Sequence, residues 1–175
     1  MIVMALDPSL RATGVVIFDT DVGIIHTETI RTEKAAKKRQ LRVADDDFQR
    51  MALVATELSK VINSYKPAMV VFETPVGGAK SSRAAISMGM IRGVLAGILA
   101  VRMLPYELYL PMECKKAATG DRNASKDAVE AAVKKRYPGT VWPKTKGEAE
   151  HCYDAASVLM AAENLSQIMR FYGGK

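Results

Sequence analysis

The sequence predicts an α/β fold: a mixed five-stranded sheet flanked by helices, with three antiparallel strands first and parallel strands after them. Three observations predict it. Residues 2–7, Ile-Val-Met-Ala-Leu-Asp, form an almost unbroken apolar run ending in a carboxylate, the pattern of a strand buried on both faces. Met69 to Phe72 repeats that pattern and is followed by a second carboxylate, Glu73. The third is the order of segments: three strand-like stretches in succession, then helix, strand, helix, strand and closing helices.

Thr13 to Asp19 and Gly23 to Arg31 are rich in Val, Ile, Phe and Thr, and the Asp19-Thr20-Asp21 corner with Gly23 predicts a hairpin between them. Leu41 to Tyr65 reads as a long helix, with apolar positions at Phe48, Met51, Leu53, Val54, Leu58, Val61 and Ile62. Lys66-Pro67 ends it, because the residue before a proline is pushed out of the helical region. Pro75, Gly77 and Gly78 make a loop, and the alanine-rich stretch from Ala79 to Met103 is expected to be helical. Pro105 to Leu110 is the last strand. Ser125 is placed to cap a helix that runs to Arg136 and stops at Pro138-Gly139. Glu148 to Phe171 closes the chain as one amphipathic helix carrying His151 and Asp154. No internal repeat or linker marks a second domain, so residues 1–175 are read as one.

The 175 residues (19.1 kDa) are 49% hydrophobic with a mean hydropathy of −0.00, which provides a core and excludes a disordered or collagen-like chain. The apolar stretch Ile86 to Leu104 carries Arg92, Arg102 and three glycines and is expected to fall short of a membrane span. Asp7 and Pro8 interrupt the N-terminus before a secretory apolar core could form, so a cytoplasmic location without membrane attachment is expected. Cys114 and Cys152 lack the nearby partners of a zinc site and are read as small core residues. The net charge of +6 is unevenly spread. Arg31, Lys34, Lys37, Lys38, Arg39 and Arg42 face only Glu33, and Lys134, Lys135, Arg136, Lys144 and Lys146 face no acid, which favours a polyanionic partner.

If the strands ending at Asp7 and Glu73 are parallel neighbours, their carboxylates meet at one rim of the sheet, where α/β sheets bind ligands. His151 and Asp154, three apart on a helix, share a face and can dock against the same rim. Such a cluster repels itself unless it is protonated or bridged by a divalent cation. Carboxylate-rich ligands suit Mg²⁺ or Mn²⁺, and two such ions about 4 Å apart clamp the attacking and leaving oxygens of a phosphodiester displacement.

Five segments, in order along the whole chain, resemble the RuvC family of Holliday-junction resolvases within the ribonuclease-H-like superfamily, the smaller phage versions above all. Asp7-Pro8-Ser9-Leu10-Arg11-Ala12-Thr13-Gly14 is similar to the family's D-P-G-x-x-x-T-G, whose aspartate binds metal. Val70-Val71-Phe72-Glu73 resembles its apolar strand ending in a catalytic glutamate, and Met88-Gly89-Met90-Ile91-Arg92-Gly93-Val94 its L-G-x-x-R-G-V, which opens the dimerisation helix. Lys115 and Lys126, eleven apart with Gly120 between them, match two lysines that contact DNA phosphates, and His151-Cys152-Tyr153-Asp154-Ala155-Ala156 matches a final D-x-x-D. Three positions depart from the pattern. Ser9 replaces a glycine; His151 stands where aspartate is commonest, with Glu150 as rival ligand; Val76 occupies the place of an aromatic wedge.

The resemblance implies a homodimeric, Mg²⁺-dependent endonuclease, with Mn²⁺ as substitute and two ions bound, that nicks two opposed strands of a four-way DNA junction in a bacterial cell or phage-infected host. Asp7, Glu73, His151 and Asp154 would be its metal-binding and catalytic residues, His151 either as neutral ligand or orienting the attacking water. Lys115, Lys126, Lys37, Lys38, Arg39 and Arg11 would contact DNA. Cutting of RNA–DNA hybrids, or junction binding without cleavage, are the competing expectations. Glycines 89, 93 and 97 recur on one helix stripe, explained either by a partner's close approach or by packing within the subunit.

Overall fold

A computed structural model of the chain describes residues 1–35, 41–74 and 81–173. Lys37, Lys38, Arg39 and Val76 therefore lie outside the described residues. Five strands, β1 (Ile2–Asp7), β2 (Ala12–Asp19), β3 (Gly23–Arg31), β4 (Met69–Glu73) and β5 (Tyr106–Tyr109), form one sheet in the order β3-β2-β1-β4-β5. The pairs β1–β2 and β2–β3 are antiparallel, while β1–β4 and β4–β5 are parallel, which is the expected mixed arrangement.

The helices are α1 (Val43–Tyr65), α2 (Ser82–Val101), α3 (Pro111–Thr119), α4 (Lys126–Arg136), α5 (Lys146–Leu165) and α6 (Gln167–Gly173). Alternation along each strand divides the core in two. Met4, Leu6, Val15, Ile17, Val70 and Phe72 pack against Val54, Leu58 and Ile62 of α1 and Ile91, Leu95 and Leu99 of α2. From the opposite face Val3, Ala5, Val16, Phe18, Met69 and Val71 meet α3, α4 and α5. The buried residues of α5 are rich in alanine, including Ala155, Ala156, Ala161 and Ala162, and the helix buries most of its length between the sheet and the helices α3 and α4.

Helix α1 ends where Pro67 requires, with Lys66 in the left-handed region and its N–H bonded to the Ile62 carbonyl at 2.8 Å. The Ser125 hydroxyl caps α4, accepting from Ala128 N at 3.2 Å. Two expectations are corrected. The closing helix is not continuous: at Ser166 the backbone leaves helical geometry (φ −63°, ψ 125°), and the serine hydroxyl accepts from Met169 N to start α6. The short α3 was also not foreseen. Its marks are Pro111 at the first helical position, the Glu113 carboxylate accepting from Leu110 N at 2.8 Å, and Gly120 at φ 83° closing it.

A third correction concerns the apolar stretch. The expected helix is there and runs unbroken through its glycines as α2, but, against the expectation that it falls short, it is long and apolar enough by length and composition alone to cross a membrane, with 17% of that window buried. Gly89, Gly93 and Gly97 lie on its exposed side, and a Cβ at any of them would meet nothing within 4 Å among the described residues. Packing among the described residues therefore does not account for these glycines.

Candidate functional site

Leu6 pairs with Phe72 in the parallel β1–β4 ladder, so the next residue on each strand, Asp7 and Glu73, stands at the same carboxyl edge of the sheet. Helix α5 crosses β1 and β2 and turns His151 and Asp154 toward this edge. Ligand atoms of Asp7, His151 and Asp154 all lie within 4.8 Å of one another. His151 Nδ1 and Asp7 Oδ2 share a hydrogen bond of 2.9 Å. Glu73 stands outside that group of three but close enough for the charges of both aspartates to act on it.

Burial and like charge shape the site. Burial first, then the charges of Asp7 and Asp154, pushes the Glu73 carboxyl up to about 7. Burial, then Asp7, pushes Asp154 up to about 6. The hydrogen bond to Asp7 raises the His151 imidazole. Three carboxylates and an imidazole make an oxygen-rich donor set whose mutual repulsion a divalent cation removes, so these residues fit Mg²⁺ or Mn²⁺.

The two lysines expected to meet phosphates border this cluster. Lys126 Nζ is paired with Glu150 and lies 3.6 Å from Asp154 Oδ2, and the charges of Lys115 and Lys126 both pull the Glu73 value down. Glu150, the rival ligand, is drawn to Lys126 and held below the usual carboxylate range by it, while His151 takes the place beside Asp7. Arg11 lies exposed on the loop after β1. One contributor was missed as such: Gly14, opposite Asp7 in the β1–β2 ladder, leaves room for the backbone of His151, which a Cβ there would meet at 2.0 Å. Its signal was the glycine closing the first motif.

The raised carboxyls give a signed expectation. Their folded values exceed the ordinary ones of 4.5 and 3.8, so the stabilisation they contribute is complete below those values and is lost as pH rises through about 6 and about 7. Metal-free protein is thus expected to lose thermal stability between about pH 5 and pH 8, at roughly 2–4 °C per kcal/mol for a chain of this size. Mg²⁺ or Mn²⁺ needs the deprotonated carboxylates, so its stabilising shift grows over the same interval. Differential scanning calorimetry with and without chelator checks this; a metal-induced shift that is the same at both ends would contradict the clustering.

The family model of crossover junction endodeoxyribonuclease RuvC matches residues 3–149. The chain is similar to the protein of that name from Pelodictyon phaeoclathratiforme, 32% identical over 130 residues that are 74% of this chain and 64% of the relative. Its counterpart in Chlorobium chlorochromatii is 30% identical over 145 residues, 82% of this chain and 71% of the relative. Among solved structures, T. thermophilus RuvC in complex with Holliday junction substrate matches with a TM-score of 0.73 over 93% of both chains at 18% identity. The yeast mitochondrial Holliday junction resolvase matches with a TM-score of 0.55 over 97% of this chain and 83% of its own, at 10% identity. At such identities these likenesses show the fold, the ribonuclease-H-like one that the motifs implied.

Proposed function

The chain belongs to the RuvC family of crossover junction endodeoxyribonucleases, and we propose that it is a Mg²⁺-dependent homodimer that resolves four-way DNA junctions by hydrolysing one phosphodiester in each of two opposed strands. The observation that carries this reading is the convergence of Asp7, His151 and Asp154 within 4.8 Å, beside Glu73, at the carboxyl edge of two parallel strands. The convergence of Asp7, His151 and Asp154 beside Glu73 favours this reading over a junction binder with a decayed site.

Asp7, Glu73, His151 and Asp154 would hold the ions, which, when bound, polarise the scissile phosphate and make water a stronger nucleophile. The residues' own work is positional. Asp7 Oδ2 holds His151 Nδ1 through their shared hydrogen bond, leaving Nε2 as the ring nitrogen for a metal or the attacking water. Lys115 and Lys126, whose charges both reach Glu73, would meet a phosphate approaching the carboxylates, Lys126 exchanging Glu150 for it. Competition of a labelled four-way junction against an RNA–DNA hybrid tests the substrate. The junction is expected to win, and preferential cleavage of the hybrid would replace this reading with a ribonuclease-H-type one.

The exposed apolar face of α2 supports the homodimer. Its small stripe permits close backbone approach by a second copy, and the open space at Gly93 makes a clean test. Gly93→Leu is expected to leave the fold intact and to shift sedimentation toward monomer; an undisturbed dimer would place the interface elsewhere.

A further inference from the structure

Beneath the loop that leaves Asp7 lies a buried network of charged side chains that the metal chemistry does not use. Asp47 and Arg50, one turn apart on α1, are 2% and 7% exposed. Arg83, in the first turn of α2, pairs with Asp47. The Arg50 guanidinium lies 3.9 Å from both Asp46 and Asp47, donates through Nε to Thr32 Oγ1 at 2.8 Å, and reaches the Leu10 carbonyl through Nη2 at 3.4 Å. The buried Thr32 hydroxyl donates to the same carbonyl at 2.5 Å. One residue earlier the buried Thr13 hydroxyl donates to the Ser9 carbonyl at 2.8 Å. Both backbone oxygens that follow Asp7-Pro8 are thus gripped by buried side chains.

Stability alone is a weak reason for this arrangement, because apolar residues of similar volume often stabilise a core as well as a buried ion pair does. Apolar residues cannot fix a carbonyl group in space. A forked guanidinium aimed by two carboxylates, together with a hydroxyl sharing its acceptor, does so at a defined distance. We infer that Arg50, with Thr32, is a positioning residue of the metal centre: it locks the backbone leaving Asp7, so that the Asp7 carboxylate is already set beside His151 and Asp154 when an ion arrives. The inference rests on the metal-site reading above.

The test uses the full chain, with Mn²⁺ titrated calorimetrically into wild type, Arg50→Met and the near-isosteric Thr32→Val, and with amide hydrogen exchange across residues 9–11 measured without metal. Both variants are expected to bind Mn²⁺ about tenfold or more weakly, the usual cost of losing a group that orients a metal ligand, and to exchange the loop amides faster. Junction affinity without divalent ions is expected to stay unchanged, and Arg50→Lys, which keeps charge without the fork, to fall between. Lowered melting temperatures with wild-type Mn²⁺ affinity and wild-type loop exchange would overturn the inference and leave the network a merely structural one. Should wild type itself bind no Mn²⁺, the metal reading fails instead, and the exchange rates alone decide whether Arg50 and Thr32 hold the loop.

Discussion

Asp7→Asn is expected to lose strand cleavage by about 10³-fold while binding four-way junctions as well as wild type. Asparagine keeps the shape of the side chain and an oxygen that can accept from His151, but it removes one anionic ligand from the cluster. Metal activation supplies several kcal/mol of transition-state stabilisation, and about 4 kcal/mol is a thousandfold in rate. Lys115 and Lys126 are untouched, so the phosphate contacts proposed for them are expected to survive. The variant also has a thermodynamic mark that an unfolded protein would not show. The Asp7 charge is among the causes raising both Glu73 and Asp154, so removing it relieves repulsion in metal-free protein. Its melting temperature without metal is expected to equal or exceed that of wild type, while the metal-induced shift largely disappears. Gel-shift and nicking assays beside calorimetry check all three, and a variant that still cuts would end the assignment of Asp7.

How much of this was legible in the sequence differs from element to element, for physical reasons. The central strands were plain because burial on both faces demands an unbroken apolar run, and a carboxylate ending each run marks the edge where the chain turns to solvent. The break at Ser166 was hidden because apolar residues continue at helical spacing on both sides of it; only the local backbone and a serine cap separate α5 from α6. Helix α3 is nine residues long, too short for periodicity to show, and only its end signals at Pro111, Glu113 and Gly120 reveal it.

In the site, Asp7, Glu73 and Asp154 followed from strand ends and helical spacing. The choice between His151 and Glu150 did not, since neighbours on a helix point about 100° apart and only the rotation of α5 on the sheet decides which meets Asp7. The pairing of Lys126 with Glu150 and the ties of Arg50 to Leu10 and Thr32 join segments far apart in sequence, which no local pattern reports.

Gly14→Ala is expected to disturb the site from behind. The position does not need glycine for its dihedral angles, as it lies in regular strand paired with Asp7. It needs the missing side chain. A Cβ there would stand 2.0 Å from the His151 carbonyl oxygen and 2.4 Å from its carbon, both backbone atoms of α5 that cannot swing aside. The helix must therefore retreat by on the order of 1 Å, and it retreats at the residue that meets Asp7. Overpacking of this kind costs about 1–3 kcal/mol. A misplacement of about 1 Å at a reacting centre costs about 10²-fold in rate.

Gly147→Ala is the matched control. It makes the same substitution in the first turn of the same helix, where a Cβ meets nothing within 4 Å among the described residues, and is expected to hold or slightly raise stability with wild-type nicking. Nicking rates under saturating Mg²⁺, well below both melting temperatures, separate lost geometry from lost fold. If Gly14→Ala cuts as fast as Gly147→Ala, then the closeness of α5 to β2 does not set the distance between His151 and Asp7, and the tight backbone contact at Gly14 serves packing alone.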